Sequence, residues 1–72
     1  MSDHRYFPTT IEGKLTHVIQ ECAEVIQTAT KLQMFGAPAT DPNTGIVYDN
    51  LTDLRAEIAD LRGALDRFEA AL

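Results

Sequence analysis

Two short acidic patterns carry the residue types best suited to chemistry in this sequence, Glu21-x-x-Glu24 and Glu57-x-x-Asp60. Residues three apart are neighbours on a helix surface, so each pattern presents two carboxylates together. Carboxylates held this close repel and raise one another's pKa values. A hard divalent cation with oxygen preference relieves that repulsion, and beside phosphates the common choice is magnesium. The plain alternative is a solvated acidic face, which acid-rich helices present by chance.

The elements that must position these acids are two helices. Thr9 followed by Glu12 has the spacing of a capping box, and no proline interrupts the chain from there to Phe35. Gly36 and Pro38 then stop the helix. Residues 36–49 hold two prolines and two glycines and read as a loop, with Ile46-Val47-Tyr48 docking on the helices or on a partner. Asn50 is a good N-cap, with Asp53 in the first turn of a second helix that runs to about Ala71. The expected organisation is one domain over residues 1–72: a tail over 1–8, a helix over 9–35, a loop over 36–49 and a helix over 50–71.

Each helix carries an apolar seam with alternating steps of four and three. Ile11, Leu15, Val18, Cys22, Val25, Ala29 and Leu32 form the first. Leu51, Leu54, Ile58, Leu61, Leu65, Phe68 and Leu72 form the second. Both are a/d seams, and the simplest reading makes them the core of an antiparallel hairpin. On this labelling Glu21 and Glu57 fall at g, Glu24 and Asp60 at c. The g flanks of antiparallel helices meet, so all four carboxylates are expected on one side, offset in depth by roughly one turn, ~5 Å. Ile19 and Ile26 lie at e and widen the apolar face beyond what one neighbouring helix covers. The expected fold is therefore all-α, an antiparallel helical hairpin that assembles into a four-helix-bundle-like homo-oligomer, a homodimer or homotetramer.

Composition narrows the rest. A chain of 72 residues with a single cysteine, Cys22, can form no internal disulfide and buries a thin core. A net charge of −5 argues against nucleic-acid and anionic-membrane partners, yet permits a nucleotide when a cation stands between the two negative charges. There is no apolar run of membrane-spanning length and no signal-peptide core after Met1, so a soluble cytoplasmic protein is expected.

Taken together, Glu21-Cys22-Ala23-Glu24-Val25-Ile26-Gln27, Lys31, Phe35-Gly36, Asn50 and Leu54-x-x-Glu57-Ile58-x-Asp60-Leu61 resemble the MazG-like all-α nucleoside triphosphate pyrophosphohydrolases. The Lys-x-x-x-Phe-Gly ending of the first helix is similar to the short phage and bacterial members. The resemblance covers about residues 14–65. It implies hydrolysis of an NTP or dNTP to the monophosphate and pyrophosphate, in nucleotide-pool housecleaning. It also implies magnesium, with manganese as a substitute, on Glu21, Glu24, Glu57 and Asp60. Family members commonly carry further helical material that closes the pocket. Here that wall is expected from another subunit, from the 36–49 loop or from the 1–8 tail.

Several residues keep two readings. Lys31 follows Glu24 and Thr28 on the same stripe and can meet a phosphate tail, or can simply favour the helix C-terminus. Asn50 caps its helix or touches the nucleotide. Asp53 neighbours the metal or is an ordinary first-turn acid. Tyr6, Phe7 and Tyr48 stack on a base or pack. His17 precedes Glu21 on the stripe, and an isolated histidine is more often structural. Asp41-x-Asn43-x-Gly45 hints at a calcium loop but lacks the glycine and glutamate such a loop needs at its sixth and twelfth positions. Two rivals stand beside the main reading. One is a phosphoribosyl-ATP pyrophosphatase-like enzyme; the other is a non-catalytic helical module that only oligomerises or binds a partner.

Overall fold

The computed structural model describes residues 7–72, and His4 and Tyr6 of the tail lie outside them. Two long helices, α1 (Ile11–Phe35) and α2 (Asn50–Ala70), pack against each other as a hairpin. Among the described residues no helix is long and apolar enough to cross a membrane.

The start of α1 differs by one residue from the expectation. Thr10, in extended backbone, is the N-cap, and its hydroxyl accepts from the Gly13 N–H at 3.0 Å. Glu12 is then one position short of the capping box. The reason is Gly13. A Cβ there would stand 2.8 Å from Pro8 Cβ and 2.9 Å from Thr10 Oγ1, so the entering chain folds tightly over a bare backbone. At the other end Gly36 takes φ 75° and donates to the Leu32 carbonyl at 2.9 Å.

The expected loop contains a small antiparallel ribbon, β1 (Ala39–Thr40) with β2 (Val47–Tyr48), in the register Ala39 opposite Tyr48 and Thr40 opposite Val47. Asp41-Pro42-Asn43-Thr44-Gly45 is its turn. The Asp41 carboxylate accepts from the Asn43 N–H at 2.8 Å, its carbonyl accepts from the Gly45 N–H at 2.8 Å, and Gly45 takes φ 73°. The residues that mimic a calcium loop are thus turn chemistry: Asp opening, Pro next, Gly closing in the left-handed region.

The cap of α2 also moves. Asp49 accepts from the Thr52 N–H at 3.0 Å and from its hydroxyl at 2.7 Å, and these bonds hold the Asp49 carboxyl below its ordinary pKa. Asn50 is freed from capping. Buried, it donates from Nδ2 to the Gly36 carbonyl at 2.8 Å, which ties the start of α2 to the end of α1.

The helices meet along their d and g positions rather than along full a/d seams: Val18 is buried and Val25, Leu32, Leu54, Leu61 and Phe68 are half-buried, whereas Leu15, Leu51 and Leu65 are exposed. Among the described residues the buried ones are Val18, Glu21, Asn50 and Ala64. Val18 is a d position and the other three are g positions. Ala64, 1% exposed, offers only a methyl group where α1 comes close. Each helix is therefore rotated so that its g side faces inward. Leu15, Ile19, Ile26, Leu51 and Leu65 remain exposed, Ile19 at 60% and Ile26 at 67%. The expectation that the seams form the core of the single hairpin is corrected: their a and e sides make an apolar outer face.

Candidate metal centre

The inward rotation carries the acids with it. Glu21 is the largest fully buried side chain of the described chain, 1% exposed at the helix–helix contact. One oxygen from each of Glu21, Glu57 and Asp60 lies within 4.8 Å of the others. Glu24 joins the group through Glu57, with a hydrogen bond between the two carboxyls. The structure thus gathers all four acids of the two patterns in one cleft between α1 and α2.

The electrostatics follow from the geometry. Burial first, then the hydrogen bond and charge of Glu24, then the charges of Asp60 and Glu21, push the Glu57 carboxyl above its ordinary pKa. Glu57 Oε2 is buried without a hydrogen-bond partner among the described residues. A carboxyl in this setting is relieved either by a proton or by a cation. The donor set fits a hard cation, since every ligand atom is a carboxylate oxygen.

On the tail side of the cluster His17, one turn before Glu21, places Nε2 3.1 Å from Glu21 Oε1. The Phe7 ring lies beside the imidazole, centroids 6.4 Å apart. The Arg67 guanidinium covers the Phe7 ring at 4.3 Å.

Toward the loop lies a groove of about 450 Å³, lined by Lys31, Phe35, Tyr48, Asn50 and Asp53 together with residues 39–42 of the ribbon and its turn. Of its lining residues Asp53 stands one turn before Glu57 on α2. The groove collects Lys31, Asn50, Asp53 and Tyr48, four residues whose sequence readings included the nucleotide or the metal. Cys22 is half-buried on the outer seam rather than in a core.

Sequence reasoning passed over Phe7, Gly63 and Arg67 as a unit. The available signal was Gly63, a helix-interior glycine that costs roughly 0.5–1 kcal/mol relative to alanine and so calls for a reason. That reason is the Arg67 side chain, whose Nη1 would stand 3.3 Å from an added Cβ.

Compared with models of protein families, with curated proteins and with solved structures, the chain matches none.

Proposed function

We propose that this chain is a magnesium-dependent nucleoside triphosphate pyrophosphohydrolase of the MazG-like type, cleaving (d)NTP to (d)NMP and pyrophosphate. The observation that carries the reading is the convergence of Glu21, Glu57 and Asp60 within 4.8 Å, joined by Glu24 through Glu57. Four acids from two distant stretches of chain are gathered in one cleft at an electrostatic cost, and a solvated acidic face has no such constraint. The adjoining groove adds support, because it offers a cation (Lys31), an amide (Asn50) and an aromatic (Tyr48) beside the acids.

In this reading Glu21, Glu57 and Asp60 hold the metal, and Glu24, whose charge acts on Glu57, is the fourth carboxylate of the set. Bound magnesium supplies charge stabilisation at the phosphate oxygens and a more acidic water. Water attacks phosphorus and the α–β anhydride bond breaks; the pyrophosphate leaves with the bridging oxygen, and a carboxylate at the cluster edge takes the water's proton. Lys31 meets the phosphate tail as a point charge. Tyr48 and the ribbon line the space for the nucleoside.

The hairpin works as a homodimer or homotetramer. Val18 and Ala64 are the buried apolar residues of the described chain, and that is too thin a core to hold two helices alone. Pairing the outer faces of two hairpins through Ile19 and Ile26 gives a four-helix bundle. The same exposed face favours the rival reading of a non-catalytic oligomerisation module, which needs the face but not the cleft. The setting proposed for the enzyme is the cytoplasm.

A screen of canonical and modified NTPs and dNTPs with magnesium, scored by pyrophosphate release, separates the two. The enzyme reading expects cleavage of at least one nucleotide and its loss in Glu57→Gln. No cleavage of any nucleotide by the folded oligomer contradicts it.

A further inference from the structure

We infer that His17 is a positioning residue for Glu21, and that Phe7 and Arg67 hold it in place from the far ends of the chain. The inference rests on the metal reading of the acidic cleft and assigns that cleft a supporting layer beyond its ligands.

The chain of contacts is continuous. Arg67 on α2 lies across Gly63, where an added Cβ would crowd its guanidinium at 3.3 Å. The guanidinium covers the Phe7 ring at 4.3 Å, and the buried Arg67 Nε has no hydrogen-bond partner among the described residues. Its placement is therefore set by the ring it covers and the glycine beneath it. Phe7 lies against His17, with ring planes 52° apart. His17 reaches Glu21 Oε1 at 3.1 Å, with its own side chain only 12% exposed. Arg67, Phe7 and His17 thus form one chain of contacts, from α2 through the segment before α1 to α1, that ends at Glu21 Oε1.

The chemistry of that contact has a direction. A carboxylate that ligates a cation has no proton to give, so His17 Nε2–H donates and Glu21 Oε1 accepts. The bond restrains rotation of a carboxylate that keeps one oxygen within 4.8 Å of ligand oxygens of Glu57 and Asp60. Ligands fixed by a hydrogen bond of this kind bind metal about 10–100-fold more tightly than the same ligands left to turn. A histidine that only packed between Phe7 and the helices would be replaceable by a residue of similar volume without that change.

The test uses Mn2+ alone as the probe, with bound and free ion distinguished by electron paramagnetic resonance, on the wild-type chain and on His17→Leu, His17→Asn, His17→Gln and Phe7→Ala. Glutamine places an amide nitrogen near the position of Nε2; asparagine falls short of it. The expected result is a loss of about tenfold or more in Mn2+ affinity for the leucine and asparagine variants. Glutamine is expected to retain most of the affinity, and Phe7→Ala to fall between. If the leucine variant does not fold, the glutamine–asparagine contrast decides. Equal affinity in all folded variants overturns the inference and leaves the metal reading standing. Loss of helical structure in every His17 variant also overturns it, since His17 then holds the fold rather than the ligand. No Mn2+ bound to the wild-type chain overturns the metal reading, and this inference falls with it.

Discussion

The inner and outer faces of the hairpin are inverted relative to what stability alone selects. The inner face carries Glu21, Glu24, Glu57 and Asp60, with Glu21 at 1% exposure. The outer face carries Leu15, Ile19, Ile26, Leu51 and Leu65, all exposed. Burying carboxylates costs free energy, and leaving isoleucines in water forgoes roughly 1.5–3 kcal/mol for each. One chain that accepts both costs is explained when the inner face has a ligand that offsets its charge and the outer face has a second copy. On the proposed reading the two faces are halves of one arrangement, with self-association offsetting what the acidic interior costs.

The largest effect expected from breaking the inner face is on catalysis. Removing a ligand charge with Glu57→Gln takes away several kcal/mol of transition-state stabilisation, a fall in kcat/KM of about a thousandfold. Steady-state pyrophosphate release measures it, and a variant within tenfold of the wild type breaks the comparison.

Next comes the outer face. Ile19→Glu with Ile26→Glu places two charges where hairpins are expected to meet. The mass in solution, measured by analytical ultracentrifugation, should fall to that of a single chain, with helical structure weakened. An unchanged mass assigns oligomerisation to another surface or removes it from the account.

A smaller effect tests how the first helix is entered. Gly13→Ala forces Pro8 or the Thr10 cap to move, and loss of an N-cap costs about 1 kcal/mol. For a chain of this size that lowers the Tm by roughly 4–8 °C. A rise in Tm, as helix propensity alone predicts, contradicts the crowding.

The last of these concerns pH. The folded state holds the Glu57 proton more tightly than the unfolded chain does. Its contribution to metal-free stability is full below the ordinary glutamate value and is lost as pH rises through the raised one. The Glu57 contribution therefore declines as pH rises from the ordinary glutamate value of 4.5, opposite in sign to that of Asp49, and millimolar magnesium, by replacing the proton, is expected to restore it. Denaturant midpoints across pH 4–8 with and without magnesium check the sign. A metal-free midpoint that climbs over this range opposes it.

Much of this was legible in the residues. The four-and-three alternation marks both helices, and heptad position places Glu21 with Glu57 and Glu24 with Asp60 on one flank. Which side of each helix turns inward was not legible from periodicity, because a seam widened by Ile19 and Ile26 has two solutions. Ala64 held the missing signal: a small residue at g permits the close approach that large g residues forbid. The cap positions slipped by one for local reasons. Thr9 and Thr10 are equally good caps by type, and only the Pro8–Gly13 contact separates them. Asp49 and Asn50 are likewise both good caps, and the pull of the Gly36 carbonyl on Asn50 is a tertiary effect. The ribbon was written in Asp41-Pro42 and Gly45, beside the β-forming Val47 and Tyr48, but two-residue strands are too short to show alternation.

The acids of the inner face are proposed to form one cation site. Thermal unfolding of the wild type and of Glu57→Gln, each with and without 10 mM magnesium, tests it most directly. For a millimolar site about 10 mM magnesium stabilises by roughly 1.4 kcal/mol, several degrees in a chain this small. The wild type is expected to melt higher with magnesium. Glu57→Gln is expected to melt higher than the wild type without the metal, since a repulsion is gone, and to gain nothing when magnesium is added. A wild type indifferent to magnesium, with a glutamine variant no more stable than it, would rule out a cation site in the inner face.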